Sequence, residues 1–189
     1  MPQRVLGMAL EPTSVTLVRL TGSMKSYEVT LLMQRDLPQH EVPEEQEALQ
    51  HQALHDLLDP LRLQSDTLLV ALPTHQAVLR NMTFPFKDPR RIHQTLKFTL
   101  DEHMPFEPEE VVADFQLIAS AQAKSARLLV AGMPVEVIET SLGLLHEVGL
   151  EPAVLDLDIF GLANAALLGC PGLPARTALL DMNGERALI

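Results

Sequence analysis

The amino-acid sequence predicts an α/β fold in which a first subdomain is interrupted by a small inserted unit of the order β-α-β-β-α-β. Three observations lead to this prediction: short strand-like runs open the chain, helical segments repeat apolar residues at i+4 spacing, and the pattern changes after Pro73. The 189 residues are 47% hydrophobic and 21% charged, which is typical of a globular chain.

The first subdomain is expected to begin with a β-meander. Strand-like runs at residues 4–10, 14–20 and 26–33 are separated by turn residues. A helix at residues 43–59 and a compact apolar strand at residues 67–72 follow. The helix is expected to bury three apolar residues at i+4 spacing: Leu49, Ala53 and Leu57.

The inserted unit opens with a strand at residues 77–84 and a helix at residues 89–104. Asp88 can accept a hydrogen bond as the N-cap, and the fixed φ of Pro89 suits the first helical position. One helix face is predicted to be buried, formed by Ile92, Leu96, Leu100 and Met104.

The unit continues with two facing strands, a second helix and a last strand. The strands are predicted at residues 111–119 and 127–131, the helix at 134–148 and the last strand at 152–155. Gly149 is expected to end the helix as its C′ residue. The buried residues of this helix are predicted to be Ile138, Leu142 and Leu145.

After the inserted unit, the sequence predicts a short apolar helix at residues 158–168, a Pro-Gly linker at 171–174 and a new strand at 176–180. Asp156 and Asp158 could stand at a catalytic cleft. The simpler interpretation of Asp158 is that it caps the short helix.

The net charge of −11 disfavours several classes of partner. Binding to nucleic acid or to anionic lipid depends on Lys and Arg, so neither is expected. The single cysteine, Cys170, cannot form an internal disulfide and suits the reducing cytosol. The most apolar segment, residues 152–170, contains Asp156 and Asp158, each costing about 2.5–3.5 kcal/mol at a bilayer centre, so no membrane span is expected.

Other polar groups have a structural explanation. His51 and His55 lie one helical turn apart with Asp59 beyond them, but no fourth ligand accompanies them, so a solvated face is preferred to a metal site. No Walker loop or serine nucleophile elbow is present. A basic cluster is interpreted as a solvated helix face, with contact for an acidic partner as the alternative: Arg80, Lys87, Arg90, Arg91 and Lys97.

Two stretches carry a family resemblance. Residues 84–115 combine an apolar-Pro turn, a helix with a late Phe, a Pro-Phe pair, a Pro-x-Glu-Glu-Val run and an Asp-aromatic strand. Residues 149–165 read GLEPAVLDLDIFGLANA, and Leu72 with Pro73 precedes both stretches. These features resemble the PilM and GspL proteins, which help to assemble type IV pili and type II secretion machines.

The resemblance implies an actin-like (ribonuclease H-like) fold related to that of FtsA. Residues 1–73 would form the first part of the actin-like subdomain, 74–155 the inserted α/β subdomain, and 156–175 the return helix and linker. Residues 176–189 would open a second, truncated actin-like half.

In such proteins two Gly-containing hairpins wrap the phosphates of ATP. The stretch that resembles the first loop is residues 7–15, where Ala9 replaces the usual Asp and Glu11 the usual second Gly. A carboxylate about 4 Å from a phosphate charge is repulsive by about 4 kcal/mol at an effective dielectric of about 20. Pro12 also removes an N–H donor.

The second loop keeps Asp181, but Asn183 replaces its usual Gly and Ala187 its usual Thr. ATP with magnesium is therefore disfavoured as a cofactor, and ATP hydrolysis is not expected. The residues left to hold a nucleotide in these degenerate loops are Thr13, Ser14, Asp181, Asn183 and Gly184.

The resemblance thus implies a non-catalytic scaffold that is cytoplasmic and peripheral to the bacterial inner membrane. Its partners would be an inner-membrane platform protein, PilN-like or GspM-like, and the pilus or secretion ATPase. The alternative is a PilM-type ATPase whose nucleotide state regulates pilus assembly; a homodimer, and the choice between pilus and secretion system, stay open. A partner peptide would lie in a groove between the first subdomain and the inserted domain, near Leu72, Pro73, Arg80, Pro152 and Asp156.

Overall fold

The computed structural model describes residues 3–11, 13–23, 26–40, 42–61, 66–100, 107, 109–118, 125–174, 176–183 and 186–188. The chain divides into two compact units. The first unit contains residues 1–74 and 141–189, and the second contains residues 75–140.

The first unit is built on a five-stranded sheet of order β3-β2-β1-β4-β8. The predicted meander is confirmed: β1 (Gln3–Glu11), β2 (Ser14–Ser23) and β3 (Ser26–Asp36) pair antiparallel in sequence order. β4 (Asp66–Leu72) and β8 (Val154–Leu157) extend the sheet, β4 parallel to β1 and β8 parallel to β4.

Two helices cover the apolar face of this sheet. The predicted first helix is confirmed as α1 (Pro43–Leu58). It buries the predicted Ala53 and Leu57 and also Leu54, which was not predicted, whereas Leu49 is only half-buried. The end of α3 (Val135–Glu147) adds Leu144 and Leu145 to the same core. Because alternate strand residues point to one face, the sheet contributes Leu6, Met8, Val15, Leu17, Leu68 and Val70.

The second unit is a three-stranded antiparallel sheet of order β5-β7-β6 with one helix. It consists of β5 (Val78–Phe84), α2 (Pro89–Leu100), β6 (Val111–Ile118) and β7 (Ala126–Pro134). These elements agree with the predicted order, and the facing strands pair as expected.

The α2 helix begins and packs as the sequence predicts. Asp88 accepts a hydrogen bond from the N–H of Arg90 at 3.0 Å, as an N-cap does. The buried face is formed by Ile92, Leu96 and Leu100. The predicted extension of this face to Met104 lies outside the described residues.

The predicted boundary of the inserted unit at residue 155 requires a correction. β8 is not a strand of the small sheet; it pairs with β4 in the large one, with Leu69 opposite Val154 and Leu72 opposite Leu157. The second unit ends at residue 140, within α3. The β-α-β-β-α-β order is present along the chain, but the last two turns of its second helix and its last strand belong to the first unit, because their apolar side chains pack in the core of the large sheet.

The end of α3 is a Schellman motif. Gly149 has a φ of 74°, the N–H of Leu150 donates to the carbonyl of Leu145 at 2.9 Å, and the N–H of Gly149 donates to that of His146 at 2.9 Å. The role predicted for Gly149 is therefore confirmed. Of the three side chains predicted to be buried, Leu145 is buried and Ile138 is half-buried. The burial predicted for Leu142 is wrong: its side chain is exposed, because the helix turns Leu144 towards the core beside Leu145.

The last part of the chain contains α4 (Asp158–Gly169) and a hairpin of β9 (Asp181–Asn183) and β10 (Arg186–Leu188). The strand predicted at residues 176–180 is wrong, because this segment is irregular and pairing begins only at Asp181. Cys170 is an exposed free thiol. No helix in the described part of the chain has the length and apolar character needed to cross a bilayer.

Candidate functional site

Three parallel strands end at the same edge of the large sheet. β1, β4 and β8 are neighbours, and their carboxyl ends lie at Glu11, Leu72 and Leu157. Ligands of open α/β sheets bind outside the carboxyl ends of the strands. This carboxyl edge, defined by the β1–β2 hairpin and by the residues that follow β4 and β8, is the candidate site.

The β1–β2 hairpin is fixed by contacts on both sides of its turn. The hydroxyl of Ser14 donates to the carboxylate of Glu11 at 3.3 Å, and the two residues face each other in the ladder. From α1, the side-chain amide of Gln50 donates to the carbonyl of Glu11 at 2.8 Å. The N–H of Leu37 donates to the carbonyl of Thr13 at 2.8 Å. The Ser14 hydroxyl is thus already engaged by the carboxylate.

The position that resembles the metal-shell Asp of an actin-like ATPase is occupied by a strand methyl group. Ala9 is half-buried between Thr16 of β2 and Ala71 of β4. Position 9 therefore supplies no carboxylate that could help to hold a metal ion. Pro12, the second residue predicted to impair the phosphate loop, lies outside the described residues.

A pocket of about 230 Å³ opens beside the hairpin, between β2 and the end of β3. All of its lining residues are polar, and two are carboxylates, so it offers neither an apolar wall for a purine nor a favourable field for phosphates. The lining residues are Glu11, Thr13, Ser14, Thr16, Gln34 and Asp36. The sequence analysis singled out Thr13 and Ser14 as candidate site residues but did not identify Gln34 and Asp36 of β3.

The ends of β4 and β8 are joined by Thr74 and Asp158. The Asp158 carboxylate accepts hydrogen bonds from the N–H of Thr74 at 3.1 Å, from the Thr74 hydroxyl, and from the N–H of Ile159 at 2.6 Å. Thr74 is buried. The prediction that Asp158 is the N-cap of the helix is wrong: Leu157 stands at the N-cap of α4, and the Asp158 carboxylate joins the two strand ends instead. The sequence analysis missed Thr74, although it directly follows the Leu-Pro pair of the family pattern.

The second predicted loop forms as a hairpin in a separate two-stranded sheet. β9 and β10 pair antiparallel, with Asn183 opposite Arg186 and Asp181 opposite Leu188. The side chain of Asp181 is exposed. Gly184 lies outside the described residues. The structure therefore places Thr13 and Ser14 on one hairpin and Asp181 and Asn183 on another.

The predicted partner-binding residues differ in exposure. In the first unit, Leu72 is buried, Pro73 and Pro152 are half-buried, and Asp156 is exposed. The carboxylate of Asp156 accepts a hydrogen bond from the N–H of Leu157 at 2.8 Å. The side chain of Leu72 is therefore a core residue. Arg80 belongs to the second unit, where its side chain is exposed and donates to the carbonyl of Leu79 at 3.0 Å.

The two histidines of α1 differ in their surroundings. His51 lies 3.5 Å from Glu147, while His55 and Asp59 are exposed. Among the residues that the structure describes, no group of three or more His, Cys, Asp or Glu side chains could hold a metal ion.

The chain is similar to proteins of pilus and secretion machines. A family model of the type IV pilus assembly protein PilM matches residues 7–179. Comparison with curated protein sequences finds no match. A PilM–PilN type IV pilus biogenesis complex matches with a TM-score of 0.70 and 24% identity, over 82% of this chain and 48% of that chain.

A second solved structure is the cytoplasmic domain of EpsL, an inner-membrane component of the type II secretion system of Vibrio cholerae. It matches with a TM-score of 0.55 and 18% identity, over 82% of this chain and 57% of that chain. The match thus spans about half the length of each of these structures. Together with the family match, the shared fold confirms the predicted α/β, actin-like first half.

Proposed function

Because the chain belongs to the family of the type IV pilus assembly protein PilM, we propose that it is a cytoplasmic scaffold of a type IV pilus or type II secretion machine. In this role it holds membrane and motor components together without hydrolysing ATP. The proposal places it at the inner face of the bacterial inner membrane.

The observation that supports a non-catalytic role is the Glu11 carboxylate on the β1–β2 hairpin. It lines the polar pocket together with Asp36, and it accepts the hydroxyl hydrogen bond of Ser14. A second carboxylate, Asp158, stands at the end of β8 on the same carboxyl edge. A phosphate chain at this edge would meet negative charge where an ATPase presents backbone N–H groups.

The proposed partner is a PilN-like or GspM-like inner-membrane platform protein, with the pilus or secretion ATPase as a second partner. Support comes from the similar fold of a PilM that was solved in complex with PilN. Within the first unit, Asp156 on the edge strand β8 is exposed, and Pro152, which precedes this strand, is half-buried. An edge strand offers unpaired backbone groups to an extended segment.

A PilM-type ATPase is the alternative, and one observation favours it. The stretch that resembles a second phosphate loop forms the β9–β10 hairpin, and Asp181 at its start is exposed. Under this alternative, Mg-ATP would be held by the two hairpins and its hydrolysis state would regulate pilus assembly.

Calorimetric titration of the full-length protein with Mg-ATP separates the two functions. The scaffold proposal expects no binding up to about 1 mM nucleotide, whereas a dissociation constant in the micromolar range would overturn it. Glu11→Gln tests the charge argument, with Glu28→Gln on the exposed strand β3 as the matched control. If repulsion is the obstacle, only the Glu11 variant gains affinity for nucleotide.

Partner binding is tested with the N-terminal cytoplasmic peptide of the platform protein. We expect the full-length protein to bind it and Asp156→Ala to weaken binding about fivefold. Glu139→Ala, which changes an exposed carboxylate on α3, is the control. No binding of the peptide by the unchanged protein would contradict this part of the proposal.

A further inference from the structure

The outer face of α2 presents a large aromatic side chain to solvent. Phe98 is 81% exposed, on the side of the helix opposite to the buried residues Ile92 and Leu96. Arg91 lies seven residues earlier, about two helical turns away on the same face. A single exposed apolar residue is common on protein surfaces. Here it belongs to a stripe that also contains a fixed cation.

Arg91 is positioned by an aromatic stack that reaches the core. Its guanidinium carbon lies 4.2 Å from the centre of the Phe86 ring, and Phe86 meets the buried Phe84 edge-on with ring centres 5.6 Å apart. Because this contact already orders the Arg91 side chain, binding a partner would cost less conformational entropy. Among the described carboxylates, none forms an ion pair with Arg91.

The charge around this stripe is opposite to that of the rest of the chain. Residues 80–97 contain five basic residues and one acidic residue, a formal charge of +4, so the remaining residues carry −15. The one acidic residue, Asp88, is used to cap the helix. On α2 itself, the exposed side chains of Arg90, Arg91 and Phe98 make the outer face basic and aromatic on an acidic protein.

We propose that this face, formed by Phe86, Arg90, Arg91 and Phe98, docks an acidic segment of a partner protein that carries an aromatic or aliphatic side chain among its carboxylates. The arginines pair with the carboxylates, and Phe98 covers the apolar side chain. The charge of −15 on the other residues repels an anionic membrane and nucleic acid, which favours a short peptide that meets only the basic face. This docking proposal goes beyond the proposed scaffold function, and none of its residues belongs to the carboxyl edge.

The test uses the full chain and a fluorescein-labelled acidic peptide of about 12 residues with one central phenylalanine, followed by fluorescence anisotropy. We expect binding at about 0.05 M salt that weakens about tenfold or more at about 0.3 M. Arg91→Ala and Phe98→Ala should each weaken binding about fivefold, as should replacing the peptide phenylalanine by serine. Both changed side chains are exposed, and circular dichroism checks that the variants fold.

The matched controls are Arg127→Ala and Val112→Ala, an exposed cation and an exposed apolar residue of the same unit. Both lie on the sheet face that α2 does not cover, and both should bind the peptide within about twofold of the unchanged protein. The proposal is overturned if the controls lose as much affinity as the α2 variants, or if the acidic peptide does not bind. It is equally overturned if Phe98→Ala abolishes binding to phosphatidylserine vesicles, or self-association, while peptide binding is unchanged.

Discussion

The carboxylate of Asp158 accepts hydrogen bonds from both the N–H and the hydroxyl of Thr74, a residue 84 positions earlier in the chain. Asp158 directly follows β8 and Thr74 lies just after β4, so one carboxylate joins the ends of two strands that are neighbours in the large sheet. The segment that follows the Leu72-Pro73 pair and the PilM-like stretch at residues 149–165 are therefore joined in one hydrogen-bonded cluster.

Removing either partner of this cluster should destabilise the first unit. Thr74→Val deletes a buried hydroxyl and should lower the free energy of unfolding by about 1 kcal/mol. Asp158→Ala should cost about 2–3 kcal/mol, because it leaves the N–H groups of Thr74 and Ile159 and the Thr74 hydroxyl without their acceptor. Urea denaturation followed by circular dichroism measures both changes.

The control for this pair is Thr67→Val, which changes an exposed threonine on β4 and should alter stability by less than about 0.5 kcal/mol. Thr74→Ser should be nearly as stable as the unchanged protein, since it keeps the hydroxyl that Thr74→Val removes. Additive effects in the double variant of Thr74 and Asp158 would contradict a direct interaction.

A second prediction concerns a buried charge at the opposite end of β4. The Asp66 side chain is only 2% exposed, and its carboxylate lies 3.1 Å from Arg4 and 3.2 Å from Arg19. Asp66→Asn would leave two partly buried guanidinium groups without their counter-charge. We expect a loss of about 3 kcal/mol in the free energy of unfolding, measured by denaturant titration.

Asp56→Asn is the matched control for Asp66. Asp56 lies 3.7 Å from Arg35, and both side chains are largely solvated, at 40% and 57% exposure. Exposed pairs contribute about 0–1 kcal/mol, so this variant should be nearly neutral. Equal effects of the two substitutions would show that burial does not determine the contribution of the carboxylate.

Two glycines of the α3 region should respond to alanine with opposite signs. Gly149 has a φ of 74°, which strains any residue with a Cβ, so Gly149→Ala should cost about 1 kcal/mol. Gly143 lies in the interior of α3, and an added Cβ there meets no atom within 4 Å. Gly143→Ala should therefore stabilise the protein by about 0.5–1 kcal/mol.

Thermal unfolding measures these two variants under identical conditions. A stabilising Gly149→Ala would mean that α3 does not end in the left-handed conformation. A destabilising Gly143→Ala would mean that the exposed face of α3 is covered.

Local chemistry explains which parts of the fold the sequence could predict. The Asp88 cap, the spacing of Ile92 and Leu96, and the role of Gly149 depend on residues within one or two helical turns. The periodicity of a helix is enough to locate such features. The same holds for the strand–turn–strand pattern of the meander.

Features that depend on distant pairing could not be predicted in this way. The apolar run before Asp158 predicts a strand but not the sheet it joins, and β8 pairs with β4 across more than 80 positions. The segment at residues 176–180 is apolar enough for a strand, yet a short apolar run becomes one only where a partner strand is available. Thr74 was missed because nothing local indicates that its hydroxyl meets a carboxylate.

The last prediction tests the orientation of α2, on which the proposed docking face depends. Leu96 is buried against the small sheet, whereas Phe98, two residues later, is 81% exposed. Leu96→Ala should therefore destabilise the second unit by about 3 kcal/mol through a cavity, and Phe98→Ala should change its stability by less than about 0.5 kcal/mol. Hydrogen exchange of the amides of α2 and β7 reports on this unit specifically, because a local loss of stability speeds exchange there. If Phe98→Ala accelerates exchange as much as Leu96→Ala does, Phe98 is a core residue, and the outer face of α2 cannot offer it to a partner.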